Sequence, residues 1–247
     1  MRYYRGPEGD QRIWFEEEEI EAIAEDELRK ANLLPNPDAP VTDVERFVEG
    51  HLRAGLDQYA DLEPGVLGQT EFVPGRPPAI SISKDLTGSA LDDDDPLPGR
   101  KGRWRATLAH EASHVLLHRF LFELDPNQGQ LFGTDYSSPA AGQLLMRCLK
   151  RDVGTRAGGG EWREIQANRG MAALLMPRSV FRKVAQAELA RQPDGPVDVA
   201  TRIGYVVAEL AKQLEVSKQA ARIRLNTLKL VADPDAPSLP SLSGMVG

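Results

Sequence analysis

The sequence is poor in cysteine and has no long hydrophobic run. Of its 247 residues only Cys148 is a cysteine, so no internal disulfide can form, as is usual in a reducing compartment. No apolar stretch approaches the roughly 18 residues that a membrane-spanning helix needs. The first fifteen residues mix arginines, tyrosines and polar residues, and an acidic stretch follows them, unlike an export signal. We therefore expect a cytoplasmic protein without a membrane segment.

Charge is divided unevenly along a chain of otherwise ordinary globular composition. Residues 1–149 carry 15 Lys and Arg against 27 Asp and Glu, whereas residues 150–230 carry 15 against 8. A basic region behind an acidic one can favour a polyanionic or acidic partner. Basic residues on a solvated helix surface would produce the same pattern, so charge alone does not decide between the two interpretations.

Hydrophobic spacing predicts a mostly helical α+β fold. Two short apolar runs flank a Pro-Gly turn and predict an antiparallel strand pair at 66–73 and 79–83. Residues 88–102 are rich in Asp, Pro and Gly and predict a loop. Thr42 is expected to cap a helix. Helical spacing is present at 16–31, 42–56, 104–121, 161–176, 179–191 and, with a break near Glu215, 199–231.

The helix predicted at 104–121 carries an H-E-x-x-H motif from His110 to His114. Residues four apart lie on one face of a helix, roughly 6 Å apart, so both imidazoles can bind one ion. Neutral imidazole suits zinc, which in catalytic sites takes three protein ligands and a water. Glu111 lies beside the first ligand, where its carboxylate can accept a proton from that water. Three of the four histidines in the chain fall within nine residues, which favours a site over incidental histidines.

A third ligand must come from elsewhere in the chain. His118 lies eight residues after His110, about 12 Å along the helix, and one tetrahedral ion cannot span that distance; it is better placed as a core residue or one that contacts a ligand. A carboxylate from the helix at 161–176 remains, and both Glu161 and Glu164 are candidates. Asn168, four residues after Glu164, could hydrogen-bond a ligating imidazole.

Two segments resemble the ImmA/IrrE family of metallopeptidases. They are T-L-A-H-E-A-S-H-V-L-L-H at 107–118 and E-I-Q-A-N-R-G-M-A-A-L-L-M-P at 164–177. Gly68-Gln-Thr in the first strand also fits. The resemblance implies a zincin-like core of gluzincin type, with one zinc ion held by His110, His114 and Glu164 and with Glu111 as general base; manganese could replace zinc in vitro. It further implies a protein substrate, a helix-turn-helix repressor whose cleavage switches on a stress or mobile-element regulon.

The region after residue 195 reads like a helix-turn-helix, but it lacks the usual turn glycine and has Glu215 there. Lys218 and Arg222 would then be its contacts to a nucleic acid or another partner. We expect DNA binding to be the less favoured role, because the chain is net acidic, with a formal charge of −7. A docking or purely structural segment is preferred.

These observations predict a zinc endopeptidase with a small antiparallel sheet and a helix-turn-helix-like end. The expected division is a helical extension at 1–40, the peptidase domain at 41–195, the helical segment at 196–232 and a disordered tail at 233–247. Two other functions remain open: a non-proteolytic DNA-binding regulator with a structural zinc site, and the toxin or effector half of a two-gene module. An insertion at 122–160 lengthens the distance between the two motifs.

Overall fold

The computed structural model describes residues 2–5, 11–73, 75–91, 99–121, 144–149, 162–191 and 198–231. Over these residues the fold is α+β and predominantly helical, as predicted. The helices are α1 (Glu17–Lys30), α2 (Val44–Arg46, continued by a π-helical turn, Phe47–Leu52), α3 (Lys84–Leu91), α4 (Arg100–His118), α5 (Trp162–Leu175), α6 (Arg178–Arg191), α7 (Val199–Gln213) and α8 (Lys218–Thr227). The strands are β1 (Arg2–Arg5), β2 (Gln11–Trp14), β3 (Gly55–Ala60), β4 (Val66–Phe72), β5 (Ala79–Ser83) and β6 (Leu144–Leu149).

The main sheet has four strands in the order β3-β5-β4-β6. The predicted β4–β5 hairpin is present and antiparallel, with Thr70 opposite Ile80, and β6 pairs antiparallel with the other edge of β4. The sheet is nevertheless mixed, which corrects the prediction of a purely antiparallel one, because β3 runs parallel to β5. The hairpin places β5 between β3 and β4, and since β3 runs opposite to β4, β3 and β5 have the same direction.

Helix α4 is the central element of the fold. Its 19 residues include thirteen buried ones, and its apolar side chains Leu108, Ala109, Ala112 and Val115 belong to the main hydrophobic core with side chains of the sheet and of α5 to α8. One side of α4 faces β4, and α5 packs along another. Because α4 lies between the sheet and α5, residues on its different faces can meet groups from both.

Segments near the N-terminus and the C-terminus of the described chain also pack on α4. Trp14, Phe15 and Ile20 form a second hydrophobic cluster with Leu117 of α4 and with Trp162 and Ile165 of α5. At the other end, the turn between α7 and α8 packs on the start of α4, where a Cβ on Gly102 would lie 3.5 Å from the Glu215 carbonyl oxygen. Lys101 Nζ also lies 2.8 Å from Glu215 Oε1. The C-terminal helices therefore share the core of α4 and brace its first turn.

Several predicted boundaries are corrected by the structure. Asp43, and not Thr42, caps α2, because its side chain accepts a hydrogen bond from the Arg46 backbone N–H. The Thr42 hydroxyl instead donates to the Leu174 carbonyl, 2.8 Å away, which satisfies an end-of-helix acceptor of α5. The predicted helix to residue 56 ends at Leu52, since Arg53 adopts a left-handed conformation with φ 54°.

The prediction of a loop at 88–102 is wrong at both ends, because residues 88–91 belong to α3 and residues 100–102 to α4; residues 92–98 lie outside the described residues. The strand pair β1–β2 and the strands β3 and β6 were not predicted. The break near Glu215 is confirmed, and this residue takes the left-handed conformation without a glycine, with φ 53°. The predicted tail at 233–247 and, apart from β6, the predicted insertion at 122–160 lie outside the described residues. In the described part of the chain, no helix combines the length and apolarity needed to cross a membrane.

Candidate metal centre

Two helices bring three potential metal ligands together. His110 and His114 lie one turn apart on α4 and are both fully buried, and Glu164 lies in the first turn of α5 with 18% of its side chain exposed. Glu164 Oε2 is 3.1 Å from His110 Nε2 and Glu164 Oε1 is 3.3 Å from His114 Nε2. The two Nε2 atoms are themselves 3.2 Å apart. Three donors of the predicted types therefore converge on one point.

A close approach between α4 and α5 makes this convergence possible. Gly170 of α5 faces Ser113 of α4, and a Cβ on Gly170 would lie only 2.7 Å from Ser113 Oγ and 2.8 Å from Ser113 Cβ. The Ser113 hydroxyl is turned back to the Ala109 carbonyl, 2.7 Å away. Since Gly170 has no side chain, the helices can pack closely enough for Glu164 to reach both imidazoles.

Glu111 lies on the side of α4 that faces the sheet. The Thr70 hydroxyl of β4 donates a hydrogen bond of 2.6 Å to Glu111 Oε2. Glu111 Oε1 is buried and has no hydrogen-bond partner among the described residues. Gly68, two residues before Thr70 on the same strand face, leaves room for this oxygen, because a Cβ there would lie 3.0 Å from it. One carboxylate oxygen is thus held and the other is left for a further partner.

Burial changes the pKa of Glu111 more than any charge near it. Desolvation raises this pKa to about 7, although the charge of His110 and the Thr70 hydrogen bond both act to lower it. A carboxylate with a pKa near neutrality can both accept and release a proton under ordinary conditions. Glu111 therefore has the proton affinity expected of a general base or acid.

The imidazoles of His110 and His114 and the carboxylate of Glu164 change one another's pKa. Burial acts to raise the pKa of Glu164, but its close contacts with the imidazoles of His110 and His114 outweigh burial and hold that pKa well below its usual range. Burial acts to lower the pKa of His110, yet the hydrogen bond to Glu164 and the charges of Glu111 and Glu164 raise it overall. Burial lowers the pKa of His114. The three side chains thus favour an ionised carboxylate next to at least one neutral imidazole.

The predicted partners of the ligands are also in place. Asn168 Oδ1 lies 3.2 Å from His110 Nδ1, so the second nitrogen of that ring has a hydrogen-bond partner. His118 lies outside the three-ligand group and contacts His114, with 3.2 Å between their Nδ1 atoms. Burial holds the pKa of His118 well below its ordinary value. Glu161, the competing carboxylate, lies outside the described residues.

The donor set fits a zinc ion by its chemistry. Two imidazole nitrogens and a carboxylate match the ligands that zinc takes in hydrolytic sites. Within the described residues, His110, His114 and Glu164 form a group whose ligand atoms all lie within 4.8 Å of one another. Oε1 of Glu111 is buried and has no partner within the described ranges, and it is the further polar group that a metal-bound water would satisfy.

Lys218 and Arg222 do not belong to this group of residues. Both lie on α8, where Lys218 is exposed and Arg222 is partly buried. Arg224, on the same helix, is 3% exposed and pairs with Glu21 of α1 through Nη2 at 2.7 Å. It also donates to the Met176 carbonyl. Arg224 is thus committed to holding α8 against α1 and the end of α5.

Sequence reasoning missed the functional contacts of Thr70, Gln166 and Gly170. Thr70 and Gly68 were noted only as part of a family resemblance, although their spacing of two places both on one face of a strand. Gln166 was not assigned a role, but its Oε1 lies 3.1 Å from His118 Nε2. The signal for Gly170 was a glycine inside an otherwise strong helix, which often marks a close approach.

The fold and the three-donor group define a chain with the features of a metallopeptidase. Comparison with protein families matches residues 100–226 to the IrrE N-terminal-like domain of the peptidase M78 family. The match covers just over half of the chain, including both α4 and α5, and the protein therefore belongs to this family. A search of curated proteins finds no match to the chain.

Proposed function

We propose that this protein is a zinc-dependent endopeptidase that hydrolyses a peptide bond with an activated water molecule. The observation that carries the proposal is the position of Glu111. Its carboxylate is fully buried next to the ligand group, with Oε2 fixed by Thr70 and Oε1 unpartnered among the described residues. A base so placed is useful only if a proton donor enters beside it, and a water molecule in the site is that donor.

The roles of the residues follow from their positions. His110, His114 and Glu164 would hold the ion. A bound zinc ion would supply a Lewis acid that acidifies a water molecule and polarises the scissile carbonyl. Glu111 Oε1 accepts the proton of the attacking water and can return it to the leaving amine. Thr70 keeps the other oxygen fixed, so the base does not have to reorient during the reaction.

The number of ligands supports a catalytic site over a structural one. Structural zinc sites usually have four protein ligands, whereas catalytic sites have three and leave one position for water or substrate. The group found in the described part of the chain contains three residues. A carboxylate base beside this group has no use in a purely structural site. This comparison favours the peptidase over a regulator with a structural zinc.

For the substrate, we propose a helix-turn-helix repressor whose removal derepresses a stress or mobile-element regulon. The support is the likeness to the ImmA/IrrE peptidases in both motifs. The decisive experiment incubates the purified protein, with zinc or manganese, with the helix-turn-helix protein encoded next to its gene. Specific cleavage that a chelator abolishes and added zinc restores supports the proposal. An intact repressor after prolonged incubation with the zinc-loaded protein contradicts the proposed substrate.

The competing role of a DNA-binding regulator is tested separately. Arg224 is buried and paired with Glu21 and is therefore not available to phosphate, whereas Lys218 on the same helix is exposed. We expect no sequence-selective band shift with promoter DNA from the protein's own locus at about 0.1 M salt, where contacts to phosphate are already weakened. A tight, selective shift that is lost in Lys218→Glu and Arg222→Glu would favour the regulator.

A further inference from the structure

His118 and Gln166 form a buried chain of contacts that ends at one of the ligands. His118 is fully buried one turn after His114, and their Nδ1 atoms are 3.2 Å apart. On the other side of the ring, His118 Nε2 lies 3.1 Å from Gln166 Oε1. Trp162 packs edge-on against the His118 ring, with 5.6 Å between ring centroids. The His118 ring therefore has a fixed orientation with a partner at each nitrogen.

The direction of each hydrogen bond in this chain can be assigned. A side-chain amide oxygen only accepts, so His118 Nε2–H donates to Gln166 Oε1. His114 Nε2 faces His110 Nε2 and Glu164 Oε1, so as a ligand His114 binds through Nε2 and carries its proton on Nδ1. His114 Nδ1–H then donates to His118 Nδ1, 3.2 Å away, which accepts because the His118 proton lies on Nε2.

We propose that Gln166 and His118 are positioning residues that hold His114 in the Nδ1-protonated tautomer, so that Nε2 is ready to bind metal. This inference rests on the metal site of the proposed function. It assigns a task to Gln166, which no motif identified, and to His118, which is too far from His110 to be a ligand itself.

The alternative tautomer of His114, protonated at Nε2, has Glu164 as a hydrogen-bond acceptor. Residues that favour protonation at Nδ1 are therefore needed. Glu164 Oε1 lies 3.3 Å from His114 Nε2 and would accept a proton carried there. In that form Nε2 has no lone pair for a metal ion, and binding must first move the proton. For His110 the corresponding task belongs to Asn168, whose Oδ1 lies 3.2 Å from Nδ1. Helix α5 thus carries a partner for each imidazole, one direct and one through His118.

Zinc affinity is the first readout, measured by competition with a chromophoric chelator. Gln166→Met removes the acceptor at similar length, and His118→Phe removes both hydrogen bonds while keeping a ring against Trp162. Each should weaken zinc binding by about tenfold or more, the usual effect of losing a ligand's hydrogen-bond partner. Gln166→Glu keeps an acceptor oxygen of the same reach and should retain most of the affinity. Gly204→Ala changes a residue of α7 that has open space around it and should leave the affinity unchanged.

The second readout is the tautomer itself, which a purely structural role would not change. Long-range proton–nitrogen spectra of the metal-free wild type should show His114 protonated at Nδ1 and His118 at Nε2. In His118→Phe, the His114 proton should move to Nε2, where Glu164 accepts it. The inference is overturned if wild-type His114 is protonated at Nε2, if His118→Phe leaves its tautomer unchanged, or if folded Gln166→Met and Gln166→Glu bind zinc equally well.

The two readouts also separate this inference from the proposed function. A wild type that binds no zinc would defeat the proposed metal site, and the tautomers of the metal-free protein would then decide the inference alone. Zinc binding with the wrong tautomers would defeat the inference and leave the peptidase proposal standing.

Discussion

The Thr70 hydroxyl lies 2.6 Å from Glu111 Oε2. This contact joins β4 of the main sheet to α4, the helix that carries His110 and His114. Thr70 is fully buried, so water does not compete for this contact. The bond fixes the carboxylate through one oxygen and leaves the other free to exchange protons. The sheet therefore positions the proposed base, while α5 supplies the third candidate ligand.

Replacing Thr70 with Val should impair chemistry without emptying the metal site. The Thr70 hydrogen bond lowers the pKa of Glu111, so its loss should move the acidic limb of the pH profile of kcat/KM to higher pH. We expect kcat to fall by about tenfold or more, with zinc content unchanged. Thr70→Ser keeps a hydroxyl and should restore both the rate and the profile. An unchanged pH profile in Thr70→Val would show that Thr70 does not position the base.

Removing any proposed ligand should release the metal. His110→Ala, His114→Ala and Glu164→Ala should each reduce bound zinc to well below one ion per chain, because a three-ligand site loses a third of its protein donors. Elemental analysis of the purified variants measures this. Glu161→Ala is the matched control and should keep its zinc. Full zinc in Glu164→Ala together with loss in Glu161→Ala would move the third ligand to Glu161.

Zinc binding should depend on pH through His110. Because its pKa is raised in the metal-free protein, zinc must displace a proton that persists above the ordinary value of 6.5. Affinity should therefore rise by about tenfold per pH unit below that raised pKa and level off above it. Without zinc, the interactions that raise the pKa of His110 stabilise the folded state in full below pH 6.5. This contribution to the free energy of unfolding disappears as the pH rises through the raised pKa of the folded state.

Thermal unfolding measures the consequence of this linkage. Zinc should increase Tm more at about pH 8 than at about pH 6. At the lower pH, zinc must displace the proton of His110, and it replaces the stabilising interaction of protonated His110 with its carboxylate neighbours. Calorimetric titrations in two buffers should show proton release near pH 6. An increase in Tm that is larger at the lower pH would contradict the assignment of His110 as a ligand.

Gly170→Ala should strain the packing between the two site helices. The new methyl group would lie 2.7 Å from Ser113 Oγ and 2.8 Å from its Cβ, and we expect a loss of about 1–3 kcal/mol in the free energy of unfolding. The double variant Ser113→Gly/Gly170→Ala removes the clash, so urea unfolding of the four proteins should give a favourable coupling energy. Gly204→Ala is the matched control: Gly204 also lies in a helix but has open space around it, and this change should stabilise by up to about 1 kcal/mol.

The metal helix and its partner were predictable because their residues carry strong local signals. His110 and His114 at a spacing of four, within an uninterrupted helix, define two candidate ligands without knowledge of the fold. Glu164 and Glu161 could not be separated by such reasoning, because the choice depends on how α5 docks on α4. Only the resemblance to known peptidases selected Glu164, and the contact with both imidazoles agrees with that selection.

The parts that escaped prediction depend on long-range pairing. Strand β3 has exposed and partly buried residues in alternation but few apolar ones, and its pairing partner β5 becomes apparent only once the sheet is formed. Thr42 has the features of a helix cap, yet its hydroxyl is used 132 residues away in sequence, at Leu174. Arg224 lies in the same basic helix as Lys218 and Arg222, but it is buried and hydrogen-bonded to Glu21 and the Met176 carbonyl. Local patterns cannot show such distant partners.

The most direct test of the central claim compares wild type with Glu111→Gln, both loaded with zinc. Glu111 is not one of the three residues of the candidate ligand group, and the Gln side chain keeps an oxygen that can accept from Thr70. The variant should therefore bind zinc and unfold like the wild type while its rate of repressor cleavage falls by at least about 100-fold, the scale of general-base loss. Undiminished cleavage by the zinc-loaded Glu111→Gln protein would contradict the hydrolytic role assigned to this site.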